Sequence, residues 1–77
     1  MLGYFQDLEL GGTYTISCRL KNGFTIKTTG HRFIQVTSKG FNFLDVKNNR
    51  CIFNRHFYKS KKNNKYLIIK NLKIIKE

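Results

Sequence analysis

Several residue types that often indicate a function or a compartment are scarce or missing in this 77-residue chain. It has no proline, tryptophan or alanine, and only two cysteines. Cys18 and Cys51 lie too far apart for a disulfide framework or a Cys-x-x-Cys metal motif, so they are predicted to be buried thiols that act as small hydrophobes. No apolar stretch approaches the ~20 residues of a membrane span, and the N-terminus does not resemble a signal peptide. The sequence predicts a reduced, cytoplasmic protein without a transmembrane segment.

Acidic residues are the scarcest charged type. Four Asp and Glu face fifteen Lys and Arg, which gives a formal net charge of +11. Because self-repulsion at this charge destabilises a compact state, a polyanionic partner is expected: nucleic acid first, and an acidic protein surface or an anionic membrane surface second. The abundant Lys, Asn, Ile and Phe also indicate AT-rich coding, as in a low-GC bacterium, one of its phages or mobile elements, or an organelle or parasite genome. In that case codon usage accounts for part of the charge.

The clearest structural signal covers residues 13–29, where polar and apolar residues alternate on both sides of Asn22-Gly23. Asn-Gly predicts a β-hairpin with a two-residue type I′ turn, because both residues tolerate positive φ. One face of this hairpin is apolar and the other is rich in hydroxyl and basic side chains. The apolar face holds Tyr14, Ile16, Cys18, Leu20, Phe24 and Ile26, and the polar face holds Thr13, Thr15, Ser17, Arg19, Lys21, Thr25, Lys27 and Thr29.

Four further strands are predicted, over residues 31–37, 41–46, 51–58 and 66–75, the last with a bend or bulge at Asn71. Residues 1–12 form an N-terminal arm in which Leu2, Phe5 and Leu8 would cover one end of a barrel, and residues 59–65 form a basic loop. Short strands at about ten-residue spacing are typical of small all-β barrels. The predicted fold is one domain, residues 1–77: an SH3-like or Sm-like barrel of five to six antiparallel strands with a short N-terminal helical turn or arm.

Cations and aromatic residues alternate between residues 50 and 62. Nucleic-acid binding uses cations for phosphates and planar groups for bases. On a strand over residues 51–58, Tyr58 and His56 would share a face with Asn54, while Phe41 and Phe43 would stack on bases only if they point outward. The sequence predicts non-enzymatic binding of RNA or DNA. The predicted contact residues are Arg19, Lys21, Lys27, Arg50, Arg55, His56, Tyr58, Lys59, Lys61 and Lys62.

Three segments resemble motifs of the Sm and Sm-like RNA-binding barrels. Residues 20–23 (Leu-Lys-Asn-Gly) are similar to the glycine turn of that family's first motif, residues 41–45 to its Asn-containing strand, and residues 69–71 lie where its Arg-Gly step would be. In that family the Asn region and the Arg-Gly loop contact uridine-rich RNA inside a ring, so the resemblance implies RNA contacts at Asn42 and Lys70. The chain departs from the pattern by lacking an Asp ahead of the Asn strand and by having Asn71 in place of glycine.

Catalysis and metal binding receive weaker support. Small basic endoribonucleases use His, Arg and Tyr side chains for catalysis. This chain has residues of these types at His31, Arg32, Arg55, His56 and Tyr58, so endoribonuclease activity is a lesser alternative. Paired carboxylates, a nucleophile elbow and a P-loop are missing, and no catalytic residue is predicted. The combination Cys18, His31, Cys51 and His56 matches no structural zinc spacing. Neither a metal nor a cofactor is therefore predicted.

A protein partner is the main alternative to nucleic acid. A small protein from a phage or mobile element that binds and modulates a host protein or complex would use a few buried aromatic anchors. A nucleic-acid binder would instead show many phosphate contacts and steep salt dependence. A homo-oligomer is also compatible with so small and aromatic-rich a domain.

Overall fold

The computed structural model describes residues 8–77, which form a closed antiparallel β-barrel. Each strand pairs with the next, and the last pairs with the first, so that no strand edge is left exposed. The strands are β1 (Thr13–Leu20), β2 (Thr25–Thr37), β3 (Gly40–Leu44), β4 (Arg50–Phe53), β5 (Phe57–Ser60) and β6 (Tyr66–Lys76). The predicted all-β antiparallel barrel is confirmed. The predicted helical turn around Leu2 and Phe5 lies outside the described residues, while Leu8 packs against the core.

The hairpin at Asn22-Gly23 exists, but its turn is not type I′. Gly23 N–H donates to Leu20 O, Leu20 N–H donates to Phe24 O, and only Gly23 has positive φ, at 95°. This is the pattern of a three-residue connection that ends in a left-handed glycine. The extra residue carries Phe24 beyond the barrel wall, where its side chain is 71% exposed. Its predicted place on the apolar face is therefore wrong, whereas Ile26 is correctly placed opposite Cys18.

Strand β2 runs through the position where the sequence predicted a break. The two strands predicted over residues 24–29 and 31–37 are one strand, because Gly30 (φ 74°) makes a bulge within it. At the bulge the register with β1 shifts between Tyr14 and Ile16. A Cβ atom at Gly30 would lie 2.5 Å from Val46 Cγ1, so glycine also allows the close approach of the β3–β4 turn. The bulge lets one strand pair first with β1 and then with β3.

The strand predicted over residues 51–58 is instead a hairpin. Asn54 Oδ1 accepts the backbone N–H groups of His56 (2.8 Å) and Phe57 (2.9 Å), which turns the chain between β4 and β5. The predicted loop over residues 59–65 accordingly begins later, because Lys59 and Ser60 belong to β5. The irregularity predicted at Asn71 is confirmed: Asn71 has φ 57°, and the register between β1 and β6 shifts there.

Aromatic rings fill the centre of the barrel. Phe43 is fully buried, and its ring contacts those of Tyr14, His31, Phe33 and Phe53. Both cysteines are free and buried, as predicted, and burial raises the pKa of the Cys51 thiol to about 12. Such a ring cluster gives a small domain a large apolar area per residue.

His31 is a titratable group within this core. It is 7% exposed, and its ring lies edge-on to Phe43 and Phe53, with centroid distances of 6.1 and 5.7 Å. Burial lowers the pKa of His31 and outweighs the Thr29 carbonyl, which raises it. The folded protein therefore holds His31 in its neutral form near neutral pH.

We expect His31 to make stability pH-dependent. Unfolded His31, with an ordinary pKa of about 6.5, takes up a proton that the folded state resists. The free energy of unfolding should therefore fall as pH drops through about 6.5, and level off once pH is below the folded-state pKa. Urea unfolding at several values between about pH 7 and pH 5 should show this slope in the wild type and its loss in His31→Leu. Exposed His56 supplies the control: His56→Leu should keep the slope, and equal slopes in all three proteins would contradict the assignment.

Candidate nucleic-acid interface

A strip of cations crosses the outer face of β6, β1 and β2. Lys70 lies opposite Arg19, while Ser17, two residues before Arg19, lies opposite both Lys27 and Lys73. Residues directly opposite each other in antiparallel strands share a face, as do residues two apart. All four cations are solvent-exposed. We call Arg19, Lys27, Lys70 and Lys73 the basic strip.

The described acids are engaged away from the basic strip. Glu9 pairs with Lys76, and among residues 8–77 no carboxylate oxygen lies within 4.0 Å of a basic-strip cation. Glu77 accepts the Gly30 N–H at 2.7 Å and the Thr15 hydroxyl at 2.8 Å, and the Gly30 bond lowers the pKa of this carboxyl. The positive field of the basic strip is therefore open to an outside anion.

Asp45, the remaining described acid, is used to shape the β3–β4 turn. Its Oδ1 accepts the backbone N–H groups of Lys47 and Asn49, both at 2.9 Å. Burial acts to raise the pKa of Asp45, but these hydrogen bonds outweigh it and the net shift is downward. Asp45 therefore stays ionised at neutral pH and serves the turn.

An aromatic pair continues the same face along β6. The rings of Phe57 and Tyr66 stack with centroids 5.1 Å apart and planes inclined by 31°. Tyr66 is 55% exposed, and its partner residue on β5 is Lys59. Because Tyr66, Ile68 and Lys70 alternate along β6, they share the outer face, and the pair adjoins the basic strip. We call Phe57 and Tyr66 the aromatic shelf.

The structure distributes most of the predicted contact residues over the barrel surface. The β1–β2, β3–β4 and β5–β6 turns lie at one end of the barrel, and the β2–β3 and β4–β5 turns lie at the other end, as in any antiparallel meander. Arg19 and Lys27 lie in the basic strip, and Lys59 lies beside the aromatic shelf. Arg50 and Lys61 line a groove over β3 and β4. The other four residues are in turns: Lys21 and Lys62 at one end of the barrel, and Arg55 and His56 in the β4–β5 turn at the other end.

Tyr58 lies inside the barrel. Its ring is half-buried 4.8 Å from that of Phe53, and both line a partly open pocket of about 200 Å³ that is also lined by His31 and the exposed Lys65. Burial raises the pKa of the Tyr58 hydroxyl. Because the chain turns at residues 54–56, Tyr58 does not share a strand face with His56 as the sequence suggested. Phe43 is fully buried and so is not available for base stacking.

Four residues outside the predicted contact set complete this face: Phe57, Tyr66, Lys70 and Lys73. Of these, only Lys70 was implied by the Sm-like resemblance. Alternation along residues 66–70 was a usable signal for Tyr66 and Lys70. Lys73 follows the bulge at Asn71, which changes the alternation, and the pairing of β6 with β1 brings together residues about fifty positions apart. Local patterns carry no information on that closure.

The two residues implied by the Sm-like resemblance are not neighbours. Asn42 is on β3 and Lys70 is on β6, which are separated by two strands in either direction around the barrel. In comparisons with known proteins, no family model, no curated protein and no solved structure gives a significant match to the chain. The function of the chain therefore has to be inferred from its own surface.

Residues 8–77 contain neither a candidate metal cluster nor a helix that could span a membrane. No three His, Cys, Asp or Glu side chains cluster there in a way that could hold a metal ion. The same part of the chain contains no helix long and apolar enough to cross a membrane.

Proposed function

We propose that this protein binds single-stranded nucleic acid on the outer face of β5, β6, β1 and β2. The observation that carries the proposal is that the basic strip, which has no described carboxylate partner, adjoins the aromatic shelf, in which Tyr66 is exposed. Cations neutralise phosphates, and stacking on an aromatic face tolerates any base. No acid–base chemistry is needed for this activity.

The aromatic shelf favours single strands over duplexes. In a duplex the base faces are stacked on each other, and a protein reaches only their edges in the grooves. A ring pair with the exposed Tyr66 at the end of a cationic track instead matches unpaired bases that follow a bound backbone. RNA and DNA both meet these requirements.

Fluorescence anisotropy across a range of salt concentrations tests the proposal. The probes are a ~12-nucleotide oligothymidylate, the matching oligouridylate and a duplex of equal length, a size suited to one small barrel. We expect a single strand to bind more tightly than the duplex. Its log K should fall with log salt with a slope of about −3, because four neutralised phosphates contribute about −0.7 each. Single-strand binding weaker than ~0.1 mM at about 0.15 M salt would contradict the proposal.

Replacing Tyr66 separates stacking from charge. Tyr66→Leu keeps an apolar side chain but removes the π face, and should weaken single-strand binding by about 1 kcal/mol or more while the salt slope stays unchanged. Tyr66→Phe should bind like the wild type. Phe24→Leu is the matched control, because Phe24 is 71% exposed in the β1–β2 turn and is not part of the aromatic shelf. If the Tyr66→Leu and Phe24→Leu proteins bind the single strand equally tightly, the aromatic shelf is not part of the interface.

An acidic protein surface is the second candidate partner. It is favoured by two neighbouring exposed side chains on β6, Tyr66 (55%) and Ile68 (50%), which could serve as anchors in a protein interface. This reading predicts tight capture of an acidic protein and no measurable oligonucleotide affinity. An endoribonuclease has less support, because His31 is buried in the interior and His56 is exposed in the β4–β5 turn.

A further inference from the structure

A concave groove lies over β3 and β4, beside the proposed interface. It has a volume of about 300 Å³, and its lining includes Asn42 and Ile52 from the outer face of the two strands. Arg50, which begins β4, and Lys61, from the β5–β6 turn, lie at one end. Lys39, from the β2–β3 turn, lies at the other end. The fold thus gathers three cations from separate parts of the chain around one depression.

The walls of the groove are held in place by hydrogen bonds. Asn54 Nδ2 donates to Lys39 O at 2.7 Å, and Lys39 N–H donates to Thr37 Oγ1 at 3.2 Å, which fixes the β2–β3 turn. At the other end, Lys61 N–H donates to Arg50 O at 2.9 Å. The backbones that carry the cations are therefore positioned before any ligand arrives.

The groove also holds an unsatisfied acceptor. Asn42 Nδ2 donates to Gln35 Oε1 at 3.3 Å, but Asn42 Oδ1 is buried without a hydrogen-bond partner. A buried acceptor without a partner is unfavourable, and the Asn42 amide can relieve that cost by turning its Oδ1 toward a donor bound in the groove. Together with cations that have no carboxylate partner among residues 8–77, this acceptor matches a ligand that has both an anionic group and a hydrogen-bond donor, as a nucleotide does.

We propose that this groove binds the phosphorylated end of a nucleic-acid strand. Arg50 and Lys61 hold the terminal phosphate, the terminal nucleoside lies over Ile52 and places a donor near Asn42 Oδ1, and Lys39 faces its far side. A terminal phosphomonoester has a charge of about −1.5 to −2 at neutral pH, more than an internal phosphodiester, so a pair of cations favours it. This inference rests on the proposed function, because it names the part of the strand that occupies a second site.

The groove leads directly to the aromatic shelf. Asn42, Ile52, Lys59 and Tyr66 are successive partners across β3, β4, β5 and β6. Strands are about 4.8 Å apart, so Ile52 and Tyr66 are separated by roughly 10 Å along the barrel surface. A strand whose end is in the groove can therefore continue past Lys59 to the shelf and the basic strip.

End-labelled oligonucleotides test the inference. Three versions of the same ~12-nucleotide oligothymidylate carry a 5′-phosphate, a 3′-phosphate or a hydroxyl at both ends, with the fluorophore at an internal position. We expect one of the phosphorylated ends to bind about tenfold more tightly than the hydroxyl version, since a hydrogen-bonded charge pair of this kind is worth about that factor. Arg50→Gln and Lys61→Gln should remove the preference.

Lys62→Gln is the matched control, because Lys62 lies in the same turn as Lys61 and changes the same charge but does not line the groove. It should lower all three affinities equally and keep the preference for a phosphorylated end. Equal affinities for the three versions in the wild-type protein would overturn the end-binding inference while leaving the proposed function intact. Loss of the preference in Lys62→Gln would overturn the groove as its location. No binding of any version would overturn both proposals.

Discussion

Replacing Lys70 and Lys73 by glutamine should weaken single-strand binding on the order of 50-fold at about 0.05 M salt. The two side chains are exposed and have no described carboxylate partner, so the barrel should keep its stability while two phosphate contacts are lost. Each lost contact makes the salt slope shallower by about 0.7, and the double variant should therefore change it by about 1.4. Anisotropy titrations of wild type and variant over the same salt range provide both numbers.

A double variant elsewhere on the surface controls for net charge. Arg32 and Lys47 are exposed and lie outside the basic strip, the aromatic shelf and the groove. Arg32→Gln/Lys47→Gln removes the same two charges and should change affinity by less than about threefold, because neither side chain belongs to the surfaces proposed to hold the strand, and salt screens the remaining long-range attraction. Equal losses in the two double variants would mean that binding depends on overall charge and not on this face.

Phe43→Ala should destabilise the barrel by about 3–5 kcal/mol. The side chain is 0% exposed, and four other rings, those of Tyr14, His31, Phe33 and Phe53, contact it at centroid distances of 5.5–6.3 Å. Removing it leaves a cavity and breaks ring contacts that are worth more than their area alone. Because a domain of this length has a total stability of roughly 4–12 kcal/mol, the variant should be partly or fully unfolded at physiological temperature.

Phe24→Ala provides the same chemical change at an exposed position. Phe24 is 71% exposed in the β1–β2 turn, and its truncation should cost less than about 0.5 kcal/mol. Urea unfolding followed by far-ultraviolet circular dichroism measures both variants. A Phe43→Ala protein within about 1 kcal/mol of Phe24→Ala would show that the ring cluster does not hold the barrel together.

Local alternation was enough to predict most of the barrel wall. Tyr14, Ile16 and Cys18 are buried, while Arg19 and Lys27 face outward, because period-two alternation assigns each side chain to one side of a strand. The pattern gave the wrong result at residues 51–58, where alternating residues continue through a turn. That turn depends on Asn54 Oδ1 and two backbone N–H groups, so its signal was one side chain within a strand-like run.

The candidate interface was harder to predict than the wall. The sequence selected Arg19 and Lys27, but their neighbours Lys70 and Lys73 lie beside them only because β6 pairs with β1. Tyr58 was selected as an exposed ring and lies inside, since the residues before it form a turn that changes which side chains face inward. Gly30 was predicted to separate two strands, but its positive φ is accommodated as a bulge within the single strand β2. Long-range pairing and bulges thus decided which residues form the surface.

Nuclear magnetic resonance mapping tests the central claim most directly, namely that the face formed by the basic strip and the aromatic shelf binds a single strand. Amide spectra of the isotope-labelled protein are recorded at low salt while a ~12-nucleotide oligothymidylate is added. The proposal predicts that the largest shift changes occur at Arg19, Tyr66, Lys70 and Lys73, while Val46 and Lys47 in the β3–β4 turn change little. Shift changes confined to that turn, or no changes at a saturating oligonucleotide concentration, would contradict it.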